Sequence, residues 1–357
     1  MFEVFVEHAG HFREVLHRHC AAMTVLDMQE LVARFTLDSI CKIGFGINLG
    51  GLRKQEPLPF GQAFDRATNI ISARFVEPLW KIERLLGIGK QRQLRKALAE
   101  IQVFTQGVIQ RRRQEQAESV SERSDLLSRF MSLYDAKGER SSKTDELLSD
   151  VIINFVLAGR DTTSNLLSWS FKCLAEHPHV EEKLAEEINA MYSGLGGAPI
   201  SFDSIRKLPY LNAVLTEVLR LHPPVPQDFK IAVADDVLPD GTEIRRGEQV
   251  MYQVYVMGRS PKLWEDPLTF LPERHINDEG AFMQPNMYKF PVFQAGPRTC
   301  LGKEMAYLEA GILLATVLRD MTVELDGDPA QITYDNSLTL PIKGGLPMRV
   351  KYRRPSS

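Results

Sequence analysis

Long apolar runs are missing from this chain. No stretch approaches the ~20 consecutive apolar residues that a membrane-spanning helix requires. The opening residues, Met1 to His8, are too few and too polar for a signal peptide, so the sequence as written carries no anchor. Cysteine is scarce as well. Cys20, Cys41, Cys173 and Cys300 stand far apart with no paired spacing, which argues against a disulfide framework or a zinc site and for reduced thiols. A dominant charge is also absent. The formal net charge of −3 gives no footing for nucleic-acid binding, which favours a strongly basic chain. Internal repeats and low-complexity tracts are not found. What remains, at 44% hydrophobic and 25% charged residues, is an ordinary globular protein with ample core.

The first half reads as helices. Residues 27–40 and 91–116 carry apolar residues at spacings of three and four. Residues 44–51 form a glycine-bearing break, and 117–124 and 136–143 read as polar linkers. The run Arg111, Arg112, Arg113 is expected on a solvated helix face. His8, His11, His17 and His19 show no acid or cysteine partners, so they too are expected on a solvated helix rather than around a metal. Residues 145–176 form the longest helical candidate, stopped at His177 and Pro178; further helices are expected at 178–192 and 209–221. Strand character appears later, at 229–234 and 249–257, joined by the turn residues Pro239, Asp240 and Gly241. The expected fold class is mainly α with a small β portion.

Chemistry concentrates in residues 293–302, Phe-Gln-Ala-Gly-Pro-Arg-Thr-Cys-Leu-Gly. A thiolate metal ligand needs a tight backbone, amide donors aimed at sulfur, and shelter from water. Gly296 and Gly302 permit turns that a side chain would obstruct. Phe293 can cover the sulfur, and Arg298 offers a fixed fork of donors for a carboxylate. The helical run 303–318 would aim its N-terminal amides at Cys300 and favour the anion there. Within the long helix, Ala158 and Gly159 leave space beside a flat ligand. Thr162 can bond back to the preceding turn and open the helix locally, forming with Asp161 a short proton relay. Glu217 and Arg220, at i and i+3, share one helix face.

Phe293, Gly296, Arg298, Cys300 and Gly302 resemble the cysteine loop of the cytochrome P-450 family, the haem-thiolate monooxygenases. The order of motifs is also similar: long-helix relay, Glu217 with Arg220, then Pro272, Glu273 and Arg274, then the loop. The resemblance runs along the whole chain and is densest from Asp145 onward. It implies haem b with Cys300 as axial thiolate, Arg298 on a haem propionate, Ala158 and Gly159 beside the haem, and Asp161 and Thr162 guiding protons to bound dioxygen. It further implies a buried ion network of Glu217, Arg220 and Arg274 under the haem, with His275 in a place usually held by an aromatic residue. Val225, Pro226, Leu338 and Leu340 correspond to substrate-lining segments.

Residues 234–241, 293–298, 78–81 and 36–41 resemble the plant-type fatty-acid ω-hydroxylase branch. The implied reaction is insertion of one oxygen atom of O2 into a C–H bond of a fatty acid or similar chain, with electrons from an NADPH-cytochrome reductase and no nucleic acid involved. The full-length family implies attachment to the endoplasmic reticulum membrane. Against the family pattern, residues 1–357 are expected to form a single monooxygenase domain incomplete at its N-terminus, lacking the anchor, first strands and early helices. The alternative is a truncated, non-catalytic haem-fold protein.

Overall fold

The computed structural model describes residues 1–54, 56–118, 125–136, 141–335 and 337–353. Five helices and a short strand lead the chain: α1 Phe2–Ala22, β1 Leu26–Asp27, α2 Met28–Phe45, α3 Pro59–Ala73, α4 Trp80–Leu86 and α5 Gly89–Glu118. Local chemistry sets their ends. The Asp27 carboxylate accepts the Glu30 amide at the start of α2, and Gly46, at φ 66°, closes it in the left-handed conformation. Pro59 opens α3, where its missing N–H costs nothing.

α6 (Leu126–Ala136) and α7 (Ser142–Val156) follow, the latter capped by Ser141, whose side chain accepts the Thr144 amide. The expected linkers at 117–124 and 136–143 lie for the most part outside the described residues. α7 passes through a widened π turn, Leu157–Asp161, into α8 (Thr162–Glu176), making one long rod that begins at Ser142 rather than Asp145. α9 (Pro178–Gly194), α10 (Phe202–Arg206) and α11 (Pro209–Leu221) complete the run before the small sheets.

The expected pair of strands becomes two nested hairpins. β2 (Asp228–Ile231) pairs antiparallel with β5 (Gln249–Tyr252), and between them β3 (Asp236–Val237) pairs with β4 (Glu243–Ile244). The Pro239, Asp240, Gly241 turn closes the inner hairpin, with Gly241 at φ 87°. Residues beyond Tyr252 leave the sheet and form the short helix α12 (Val254–Met257). α13 (Lys303–Leu318) leads to β6 (Met321–Leu325), which pairs with β7 (Pro347–Tyr352), and β1 joins the far edge of β7. The result is mostly helical with few strands, as the sequence implied.

Two apolar cores hold these elements. One gathers Phe5, Phe12, Phe35, Trp169 and Phe171 around α1, α2, α8, α11 and α13; the other gathers Phe45, Phe60, Ile109, Leu127 and Ile152 around α2, α3, α5, α6 and α7. α2 serves both, so its sequence is apolar on two faces. α13 is buried almost all round from Leu308 to Leu318, while the residues just before it, Arg298 to Leu301, are exposed.

Two expectations are corrected. His8 is not solvated: it lies on the apolar face of α1 with Phe5 and Phe12, is 2% exposed, and its Nδ1 lies 3.1 Å from Ser39 Oγ. Of the arginine run, Arg112 points inward at 3% exposure and meets the carboxylate of Asp125 and the Phe45 carbonyl. Three consecutive helical residues span about 200°, so the run is spread over more than one side of the helix and its middle residue turns inward here. Among the described residues no cluster of three or more His, Cys, Asp or Glu could hold a metal ion, and no helix is long and apolar enough to cross a membrane.

Candidate active site

Cys300 sits on a loop built from two single turns, Pro291–Phe293 and Gly296–Arg298. Gly296 takes φ 72°, a left-handed backbone that glycine enters freely. Gln294 takes φ 65° without that freedom, at a cost of about 1–3 kcal/mol that its surroundings must offset. The loop closes where the Cys300 amide donates to the Phe293 carbonyl at 2.8 Å. Gly302 is different. Its φ of −88° suits any residue, and a Cβ there would lie 3.8 Å from the Cys300 sulfur, an ordinary contact. The turn therefore does not require glycine at 302; the missing side chain simply leaves room beside the sulfur.

α13 begins at Lys303 with no side chain capping its first amides, so the positive end of the helix lies next to the thiol. Phe293 is half-buried against the core and against Tyr307, ring centroids 5.7 Å apart. Cys300 and Arg298 are exposed. Among the described residues Arg298 has no carboxylate partner.

On the long helix, the Thr162 hydroxyl donates to the Ala158 carbonyl at 2.6 Å, across the π turn that widens the helix at Leu157–Asp161. Ala158 is exposed on that side. Gly159 faces the other way: a Cβ there would come within 2.8 Å of Ile40 Cδ1. Its missing side chain admits α2, not a ligand, which corrects the expectation for Gly159.

Asp161 also turns away from Thr162, and no hydrogen bond joins the two. Neighbouring helical residues point about 100° apart, so a direct relay between them is not formed. Asp161 faces a cavity of about 410 Å³ between α2, α3, α8, Asp335 and residues 337–345. There Arg160, 5% exposed, holds Asp65 of α3 through both its terminal nitrogens and Asp161 at 3.1 Å. Burial outweighs the arginine and raises the Asp161 carboxyl to about 6.

The ion network is compact. Glu217 accepts Arg220 Nη2 at 2.7 Å and Nε at 2.8 Å, Arg274 Nε at 2.9 Å, and the Leu271 amide at 2.9 Å. His275 joins it, Nε2 to Glu217 at 3.0 Å, so it belongs to the network rather than to a packing detail beside it. Burial holds His275 below its ordinary pKa, as a neutral donor. Burial would raise Glu217, but the bonds from Arg220 and His275 win and bring its carboxyl down to about 2. Glu273 points elsewhere, to the Tyr210 hydroxyl at 2.9 Å and Lys183 at 2.7 Å. Gly258 is a participant the motifs do not mark: its bare Cα lies so near the Arg220 carbonyl oxygen that a Cβ would come within 2.1 Å.

The expected substrate segments are joined to each other. The Leu340 amide donates to the Pro224 carbonyl at 3.0 Å, next to Val225, and the Leu340 carbonyl accepts Trp169 Nε1 at 2.8 Å. Val225 and Leu338 are exposed, and Pro226 and Leu340 half-buried.

These pieces fit a flat iron porphyrin. A free exposed thiol at a helix N-terminus, an arginine two residues before it with no carboxylate partner among the described residues, and a helix that presents a small exposed residue at a widened turn are groups that a haem monooxygenase would use. The sequence model of the family described as Cytochrome P450 matches residues 1–347, and the chain belongs to that family. Its cofactor is therefore haem iron, and its chemistry uses O2 and a redox partner.

The chain is similar to plant members. It is 38% identical to Cytochrome P450 94A2 of Vicia sativa, covering 99% of this chain and 69% of that one. It is 37% identical to Cytochrome P450 704B1 of Arabidopsis thaliana, over 88% and 67% of the two chains. Among solved structures, the heme domain of cytochrome P450DA superposes with a TM-score of 0.81 at 26% identity, over 99% of this chain and 73% of that one.

Proposed function

We propose that this monooxygenase inserts one oxygen atom of O2 into a C–H bond of a fatty acid or similar apolar chain, taking electrons from an NADPH-dependent reductase, with residues 1–357 acting as one catalytic unit. The observation that carries this reading is the free, exposed thiol of Cys300 beside the uncapped start of α13. Haem b, when bound there, supplies the activation of dioxygen, and a thiolate donor on its iron favours cleavage of the O–O bond. Cys300 would hold the iron through its sulfur. The open amides of α13 start beside its sulfur, Phe293 stays packed on Tyr307 next to the loop, and Gly296 and Gly302 leave room around it.

Arg298, with no carboxylate partner among the described residues, would take a propionate. Ala158 leaves room over the ring, and Gly159 serves α2 packing. The Thr162 hydroxyl, held on the Ala158 carbonyl, is the proton donor nearest the open side. Asp161, its carboxyl raised to about 6, can take up and release a proton on the cavity side; transfer between them requires a water or a turn of the Asp161 side chain. Glu217, Arg220, Arg274 and His275 fix the ground on which the cysteine loop rests. Val225, Pro226, Leu338 and Leu340 form an apolar wall suited to an acyl chain, and the motif resemblance to fatty-acid ω-hydroxylases points the same way.

One observation favours the other reading, a haem binder without turnover: Asp161 is held by Arg160 and has no bond to Thr162. Reconstitution with haemin, followed by turnover of saturated fatty acids with a plant reductase and NADPH, separates the two. Hydroxylated product supports the monooxygenase. A thiolate-type ferrous–CO spectrum with no product, whatever the chain length, would leave the haem binder.

A further inference from the structure

The cysteine loop contains one residue whose backbone and side chain are both unusual. Gln294 holds φ 65° and ψ 176° where glycine would sit without strain, and its side chain reaches back to the outer hairpin. Its amide nitrogen donates to Asp228 Oδ2, and its amide oxygen accepts the Tyr252 hydroxyl and, at 3.5 Å, Lys230 Nζ. Asp228 Oδ2 shares that hydroxyl at 2.9 Å and takes Lys230 at 3.2 Å. Asp228 and Tyr252 are direct partners in the β2–β5 register, so the sheet itself sets the two gripping groups side by side. All three residues are half-buried, which strengthens a charge-assisted bond relative to one in open water. The residue just before Gln294 is Phe293, whose carbonyl holds the Cys300 amide.

We propose that Gln294 is a positioning residue for Cys300: Asp228 and Tyr252 grip its amide, and the grip keeps the loop in the left-handed turn from which Phe293 holds the Cys300 amide. The inference rests on the reading of Cys300 as haem ligand. It explains why a residue that resists this backbone occupies the position. Glycine would take the turn freely but would leave the loop untethered, whereas glutamine accepts the strain and anchors the loop to the sheet. The hairpin also begins two residues after Pro226, so the tether links the segment proposed to line the substrate to the loop that carries the sulfur.

The test compares the haem-loaded chain with Gln294→Asn and Asp228→Ala, separately and together. Asparagine bears the same backbone strain as glutamine at this φ and ψ and keeps an amide on the loop, but at 294 it is one methylene too short to reach Asp228. Hydrogen exchange at the Cys300 amide should quicken about tenfold in each single variant, and no further in the double, because both remove one tether. The ferrous–CO spectrum should lose part of its thiolate-type band to the blue-shifted form, while the urea midpoint of the whole chain stays close to wild type. Wild-type exchange at Cys300 in both single variants would overturn the proposal, and so would fully additive effects in the double. A wild-type chain lacking the thiolate-type band would instead refute the ligand assignment, while exchange would still measure the tether.

Discussion

Replacing Glu217 with alanine should be among the most damaging single changes available outside the cysteine loop. The carboxylate is fully buried, and its removal leaves the Arg220 guanidinium, also without exposure, lacking its counter-charge. Arg274 Nε and the Leu271 amide lose their acceptor at the same time. Breaking one side of such a pair costs about 3–5 kcal/mol, chiefly because a charge stays buried and unpaired. The proton linkage gives a second, independent size. The Glu217 carboxyl sits at about 2 in the fold against 4.5 when unperturbed, a difference worth about 3 kcal/mol.

The sign follows from the depressed value. This stability is present above pH 4.5 and is lost as the pH falls toward 2. Urea unfolding followed by tryptophan fluorescence, with Trp169 and Trp264 both buried, reads the loss directly. At neutral pH, Glu217→Ala should lower the unfolding free energy by at least about 3 kcal/mol, and the gap between variant and wild type should narrow as the solution is acidified. A loss under about 1 kcal/mol at neutral pH would show that Arg220 reaches solvent or another acceptor, and the buried network would not be what holds this part of the fold.

Gly258→Ala should also destabilise strongly, by about 2 kcal/mol or more, since the new Cβ would meet backbone rather than a mobile side chain; unfolding near the wild-type midpoint would show that the α12 turn shifts freely. Asp161, raised to about 6 by burial, disfavours the fold while ionised. Relative to Asp161→Asn, wild-type stability should therefore rise by up to about 3 kcal/mol as the pH falls from above 6 to below 3.8, and a flat difference between the two curves would contradict the burial of this carboxyl. Leu340→Phe should shift chain-length preference toward shorter acids by filling the wall beside Val225, and an unchanged product profile would move the substrate elsewhere.

Much of this was legible in the residues. α11 could be bounded because Pro209 opens it and His222 with Pro223 ends it. The opening of the long helix followed from a threonine able to bond back to Ala158. The illegible part depended on partners distant in sequence. Nothing near Gly159 announces Ile40, nor does anything around Gly258 announce the Arg220 carbonyl. The nested hairpins were read as one because only the inner turn has strong turn residues. His8 could have been placed better: it falls three residues after Phe5 and four before Phe12, on the apolar face of its own helix. The separation of Asp161 from Thr162 was also available from helix geometry, though not the arginine and aspartate that occupy Asp161 on its side.

The spectrum of the reduced, CO-treated chain after loading with haemin, taken for wild type and for Cys300→Ser, tests the central claim most directly. The wild-type chain should show the red-shifted Soret band of thiolate ligation, and the serine variant should lose it. The same band in Cys300→Ser, or a nitrogen-type spectrum in the wild-type chain, would contradict that claim.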